Sequence, residues 1–250
     1  MSGHSKWSTI KHKKAAKDAK KGKVFTKLIR EITVAARTGG GDPAMNARLR
    51  LIVEKAKGAG MPKDNIDRAI KKGTGAIEGE SYEEVIYEAF GPGGVALIID
   101  GLTDNKTRTV MEVRNTLSRN NGNLGSSGSV AFMFKLRGQL LFTKESGATE
   151  EKLMETLLEH GVEDITESEE GFEVTCEPGA LEDVKNAAEK AGMKPESAEV
   201  TKLPTTMVKV TGADAPKMLK LIEALEDLDD VQNVYANCDI SKEDMEAAAS

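Results

Sequence analysis

Between Gln139 and Lys202 the chain runs twice through the order strand, helix, strand, and few folds accommodate that order in so short a span. Short β-rich stretches at 139–143, 164–167, 172–176 and 198–202 alternate with helical spacing over 150–160 and 181–191. This is the split βαβ pattern of a ferredoxin-like sheet, expected to occupy 138–203. The flanks are incomplete by themselves. Before it come strands at 85–90 and 95–100 around the turn Gly91-Pro92-Gly93-Gly94. A helix capped by Asp104 then runs to about Arg119, followed by a polar loop over 120–129 and a strand at 130–134. After it come a strand at 206–210, a helix at 215–228 and a strand at 231–236. Neither flank closes a layer alone. Together they predict a discontinuous α+β middle domain, 80–136 plus 204–240, with the ferredoxin-like βαββαβ domain inserted.

The first 75 residues have a different character. Phe25, Leu28, Ile29, Ile32, Ala35 and Ala36 recur at helical spacing until Gly39-Gly40-Gly41. Asp42-Pro43 reads as the start of a second helix, with Met45, Leu49, Ile52 and Ala56 as its apolar stripe. A third helix follows Pro62, with Ile66, Ala69 and Ile70 inward and Gly73 as terminator. The expected fold class is therefore α+β and multidomain. A basic N-terminal three-helix domain, 1–75, precedes two α/β-sandwich-type domains, one of them ferredoxin-like.

Charge divides the chain at the same place. Residues 1–75 hold 19 Lys/Arg against 6 Asp/Glu, net +13; residues 76–250 hold 16 against 35, net −19. The chain as a whole, at −6, conceals this partition. A cationic end on an anionic body seeks a polyanion with one end and is repelled from it by the other. The acidic pairs Glu150-Glu151, Glu169-Glu170, Glu226-Asp227 and Asp229-Asp230 read as solvated faces.

Catalytic patterns are missing. The three histidines, His4, His12 and His160, stand at no metal-ligand spacing, and no phosphate-binding Gly-Lys loop or Gly-x-Ser-x-Gly elbow occurs. Cys176 and Cys238 form no C-x-x-C pair, so no zinc site or disulfide framework is expected. The expectation is a non-enzymatic protein without cofactor or metal. No apolar run has the length of a membrane span and no secretory h-region precedes the first helix, which points to the cytoplasm.

The basic end supplies nucleic-acid chemistry instead. Lysines on helix faces neutralise phosphates and release counterions, with little reading of sequence. Trp7 beside Lys6 suits stacking on an unpaired base, and His4 can donate a hydrogen bond to phosphate or a 2′-hydroxyl. Lys11, Lys13, Lys14, Lys17, Lys20, Lys21, Lys27 and Arg30 continue the cationic run. The 103–109 stretch reads as a plain helix start, and the 120–129 loop as a flexible connection.

Beyond these physical readings, motifs in order along nearly the whole chain resemble the YebC family. They begin with Gly3-His4-Ser5-Lys6-Trp7 and Ile10-Lys11-His12-Lys13-Lys14. Asn46-x-Arg48-Leu49-Arg50 and Met61-Pro62-Lys63-Asp64-Asn65-Ile66-x-Arg68-Ala69-Ile70 follow. Farther on come Phe90-Gly91-Pro92-Gly93-Gly94, Thr103-Asp104-Asn105-x-x-Arg108-Thr109 and Gly125-x-x-Gly128-Ser129-Val130-x-Phe132. The resemblance implies three domains without catalytic activity. Bacterial members are described as probable transcriptional regulators that bind DNA. Relatives, including the mitochondrial translational activator of cytochrome oxidase, act on RNA or the ribosome, and bacterial members are linked to translation through proline-rich stretches. Carried onto this chain, it makes the basic motif from His4 through His12 to Lys14, with Arg48, Arg50, Lys63 and Arg68, the nucleic-acid contacts. The partner is then DNA, or ribosomal or transfer RNA, and the acidic domains face a protein.

Overall fold

The structure is a computed structural model that describes residues 19–168, 170–241 and 243–245. Three large hydrophobic cores organise it, with a fourth, smaller cluster of Ala96, Ile98, Val130 and Phe134 on the face of strand 96–103 turned away from the second of them. The first lies between helices α1 (Ala19–Gly39), α2 (Ala47–Gly58) and α3 (Lys63–Gly73). Leu28, Ile32 and Ala35 of α1 meet Leu49, Val53 and Ala56 of α2 and Ile66 and Ala69 of α3. Fully buried side chains such as Ile32 and Leu49 contribute about 2 kcal/mol each. Helix α3 ends against the backbone of α1: a Cβ on Gly73 would lie 2.3 Å from the Thr33 carbonyl oxygen, so only glycine permits this approach.

Two expectations for α2 are corrected here. Asp42 and Pro43 do not start it; the Asp42 carboxylate accepts from Ala44 N–H in a separate turn, and Asn46 is the N-cap. Met45, assigned to the apolar stripe, precedes the helix and is 84% exposed. Asn46 binds both helices at once. Its Oδ1 accepts from Leu49 N–H at 3.1 Å, while its Nδ2 donates to Ala35 O and Gly40 O, each at 2.9 Å. Asn46→Ala removes the cap and takes the Asn46 donor from the carbonyls of Ala35 in α1 and of Gly40 just beyond it. A loss of about 2–3 kcal/mol is expected, read as a lower urea midpoint at unchanged slope.

The second core belongs to a four-stranded antiparallel sheet in the order β3-β1-β2-β9. Strands β1 (Glu83–Phe90) and β2 (Ala96–Thr103) form a hairpin through one 3-10 turn at Pro92–Gly94. Strand β3 (Asn123–Leu124) pairs at one edge, and β9 (Val231–Ala236) returns from far along the chain to pair with β2. Helices α4 (Lys106–Arg119) and α7 (Asp214–Glu226) cover one face, burying Leu97, Ile99, Val113, Leu117, Met218 and Leu221. A parallel pair, β8 (Val208–Val210) with β10 (Cys238–Ile240), packs its Val210, Cys238 and Ile240 into the same core.

The third core belongs to the intervening segment. Strands β4 (Phe134–Thr143), β5 (Val162–Ser168), β6 (Gly171–Cys176) and β7 (Ser197–Pro204) lie in the order β5-β6-β4-β7, every pair antiparallel. Helices α5 (Glu150–Leu157) and α6 (Leu181–Lys190) cover one face through Leu153, Leu157, Leu181 and Val184. With the order β4-α5-β5-β6-α6-β7 this is the ferredoxin-like sheet. One strand differs from expectation. A separate strand at 130–134 does not form, because Glu88 accepts the N–H groups of Val130 and Ala131, and 131–133 makes a single 3-10 turn before β4 begins. Likewise Asn105, not Asp104, caps α4: its side chain accepts from Arg108 N–H, leaving Asp104 to pair with the Arg108 guanidinium. No helix among the described residues is long and apolar enough to cross a membrane.

Candidate nucleic-acid interface

Helix α1 has one apolar side and one cationic side, and the described cations of that side lie against later parts of the chain. Lys23 pairs with Asp227 at 3.4 Å, and Lys27 Nζ donates to Glu226 O at 2.7 Å. Arg30 donates to Asp229 O at 2.6 Å and to the Asp230 carboxylate at 2.7 Å, with its guanidinium 5.2 Å from the Tyr82 ring centre. Arg37, at the end of the helix, holds Ser81 and the Tyr82 carbonyl. Thus Lys23, Lys27 and Arg30 fasten α1 to the end of α7 and the segment that joins it to β9, and Arg37 fastens its last turn to residues 81–82 ahead of β1.

Asp230 is the centre of that joint. The sequence placed it on an acidic surface; the structure buries it to 2% exposure. Besides Arg30 it receives Arg108 at 2.7 Å, Thr109 Oγ1 at 2.6 Å and Thr103 Oγ1 at 3.1 Å. Burial by itself would raise the Asp230 carboxyl. The hydrogen bonds from Thr109, Arg108 and Thr103, with the Arg30 charge, outweigh it and hold the group below the ordinary carboxylate range.

Helix α2 reaches both other units. Arg48 pairs with Glu84 of β1 at 2.6 Å, and Arg50 with Glu182 of α6. Glu54 pairs with Lys185 at 2.5 Å, Lys55 with Glu199 at 3.7 Å, and Leu51 packs against the ferredoxin-like core. Lys27, Arg30, Arg48 and Arg50 were expected as phosphate contacts. The structure spends all four within the chain, because the acidic units lie directly against the helical one.

Of the nineteen cations in 1–75, seven (Lys23, Lys27, Arg30, Arg37, Arg48, Arg50 and Lys55) are therefore engaged with later residues. Five remain at the end of α2 and along α3: Lys57, Lys63, Arg68, Lys71 and Lys72. None makes an ion pair with any described residue, and all but the half-buried Lys72 are exposed. Asp64 and Asp67 share this helix, so its net charge is +2. The seven others fall within 1–21. His4, Lys6, Trp7, Lys11, His12, Lys13, Lys14 and Lys17 lie outside the described residues. Lys20 and Lys21 belong to α1 by backbone, with their side chains outside the description. The structure thus brings Lys63 and Arg68 together on one open helix and separates them from Arg48 and Arg50.

Lys57, Lys71 and Lys72 were legible as outward lysines, and they join Lys63 and Arg68 only once the third helix is placed. Among the described residues no group of three His, Cys, Asp or Glu side chains is arranged to hold a metal. Cys176 and Cys238 are buried free thiols, the former pushed up to about 11 and the latter to about 12, in both cases chiefly by desolvation.

Known proteins share this architecture. The family model described as the TACO1/YebC protein N-terminal domain matches residues 5–76, and that described as the TACO1/YebC second and third domain matches 82–238. A probable transcriptional regulatory protein of Geobacter sulfurreducens is 60% identical over 98% of this chain and 99% of its own. One from Acidithiobacillus ferrooxidans is 58% identical over 98% and 97%. The crystal structure of a conserved hypothetical protein from Aquifex aeolicus superposes with a TM-score of 0.83 at 47% identity, covering 93% of this chain and 96% of that one. With both family models matched in register with the helical unit and the two sheet units, the chain belongs to the TACO1/YebC family.

Proposed function

We propose that this protein is a non-enzymatic nucleic-acid-binding regulator of gene expression that acts on DNA in transcription. The observation that carries the reading is the division of labour among its cations. Seven fix the helical unit to the acidic body, and the five on α2 and α3 make no ion pair with any described residue and are the ones offered to phosphates; the basic motif of 1–21, read from sequence alone, adds to them. Lys and Arg contacts of this kind position a protein on a duplex with little base reading. The body, at −19, repels phosphate and keeps the complex to one face. The relatives named as probable transcriptional regulatory proteins support the same class.

The test is binding of the full chain to duplex DNA and to folded RNA by fluorescence anisotropy across a salt series. Tighter binding to DNA, with a steep fall in affinity as salt rises, is the expected result. Tighter binding to RNA would move the protein to translation. Lys11, Lys13 and Lys14 replaced together by Glu should abolish binding while the circular dichroism spectrum is kept. Overnight incubation with DNA, RNA or ATP and Mg²⁺ should leave all three intact; turnover would end the non-enzymatic reading.

A further inference from the structure

The two helices that cover the ferredoxin-like sheet differ in what lies on them. Helix α6 carries α2: Arg50 pairs with Glu182, Glu54 with Lys185 at 2.5 Å, and Leu51 packs against the core between them. The outward side chains of α5 make no ion pair with any described residue. Its inner positions, Leu153 and Leu157, are fully buried. On the outer side Met154 is 45% and Leu158 66% exposed, one helical turn apart, with Leu158 N–H bonded to Met154 O. The row beside them holds Glu151, Glu155 and, in the 3-10 turn that continues the helix, Glu159, all exposed.

This face is unfavourable for the helix alone. Like charges four residues apart repel, and the Glu151, Glu155 and Glu159 row does so twice. Glu150 and Glu151 suit the N-terminal turn, but Glu155 and Glu159 stand toward the other end, where the helix dipole disfavours acids and no basic residue of the last turn offsets them. Solubility accounts for the acids. It does not account for two large apolar side chains set side by side among them.

We infer that the outer face of α5 is a docking surface for one cationic amphipathic helix of a partner protein. Its apolar side chains lie on Met154 and Leu158, and its Lys or Arg side chains meet Glu151, Glu155 and Glu159. Recognition of a helix by an apolar strip uses anchors at this spacing. Helix α2 on α6 is the same arrangement made within the chain, a leucine on the core flanked by pairs of opposite charge. Three unpaired carboxylates repel a nucleic acid, so the occupant is a protein. The surface shares no residue with α3, and a partner seated there does not compete with phosphate for the same side chains.

The probe is a synthetic Leu/Lys peptide about four helical turns long, with Leu at helical spacing. A scrambled peptide of the same composition and a Leu/Glu counterpart are the controls. The full chain, carrying 13C-methyl methionine, is titrated with each, and the Met154 resonance is assigned by its loss in Met154→Leu. The Met154 methyl should shift saturably with the amphipathic Leu/Lys peptide only, while that of the exposed Met111 on α4 stays in place. Leu158→Ser, and Glu151, Glu155 and Glu159 replaced together by Gln, should each weaken binding about tenfold. No binding, binding that leaves Met154 unmoved, or parent affinity in both variants would overturn the inference. Equal affinity for the scrambled peptide would reduce the face to charge and overturn the apolar seat. A dimer in sedimentation that dissociates in Leu158→Ser would give the face to a second copy. A Met154 shift in the free chain when Lys11, Lys13 and Lys14 become Glu would give it to the chain's own basic motif; either result overturns the partner. Duplex DNA affinity should be the same in parent and Leu158→Ser, so a failure here leaves the nucleic-acid reading standing.

Discussion

Replacing Lys63, Arg68, Lys71 and Lys72 with glutamine lowers the affinity for duplex DNA by about two orders of magnitude at 0.1 M salt and flattens its salt dependence. Each phosphate contact contributes about 0.9 to the slope of log affinity against log salt, so four lost contacts reduce it by about 3–4. The four side chains make no ion pair with any described residue, and the packing of α3 rests on Ile66 and Ala69; glutamine at 72 keeps most of the half-buried Lys72 stem. Arg48→Gln is the contrast. Its guanidinium is held by Glu84, and the slope should stay within measurement error of the parent. A quadruple variant with the parent's slope would remove α3 from the interface and leave only the 1–21 motif.

Asp230→Ala should cost about 3–5 kcal/mol, because it strands Arg30 and Arg108 and leaves two threonine hydroxyls without their acceptor. In a chain of this size that is a fall of about 10 °C in Tm by calorimetry. The pH dependence has a fixed sign. The folded-state pKa lies below the unfolded value of about 3.9, so the stabilisation is complete above that pH and is lost as pH falls through the folded pKa. Asp230→Asn keeps the shape and removes the titrating group. It should melt below the parent at pH 7 and show a smaller difference from it at pH 3. A constant difference between pH 7 and pH 3 would assign the effect to packing rather than charge.

The joint at Asp230 also shows why part of the interface was misplaced by sequence. Lys27 and Arg30 have the helical spacing and charge of phosphate contacts, and Glu226 to Asp230 have those of a solvated acidic surface. Each reading is sound for an isolated segment. The two segments are about 200 residues apart, and when the fold brings them together each neutralises the other. Asp230 then becomes a buried anchor, which no local pattern in Leu228-Asp229-Asp230-Val231 announces. The same holds for Glu88. On β1 it alternates like any outward strand residue, and only the return of 128–131 across that face turns its carboxylate into the clamp that replaces a strand with a turn.

What the sequence determined by itself is whatever depends on neighbours in the chain. This includes the helical spacing of 19–73, the strand–helix–strand order of the ferredoxin-like unit, the glycine stops, the opposition of a +13 end to a −19 body and the motifs of the family. What only the tertiary structure decided is which charges are free. Coulombic pairing depends on separation in space, and desolvation on what is packed above a group. Neither is a function of position along the chain, so the twelve cations of 22–75, which look alike in the sequence, divide in the fold into fasteners and a candidate contact surface.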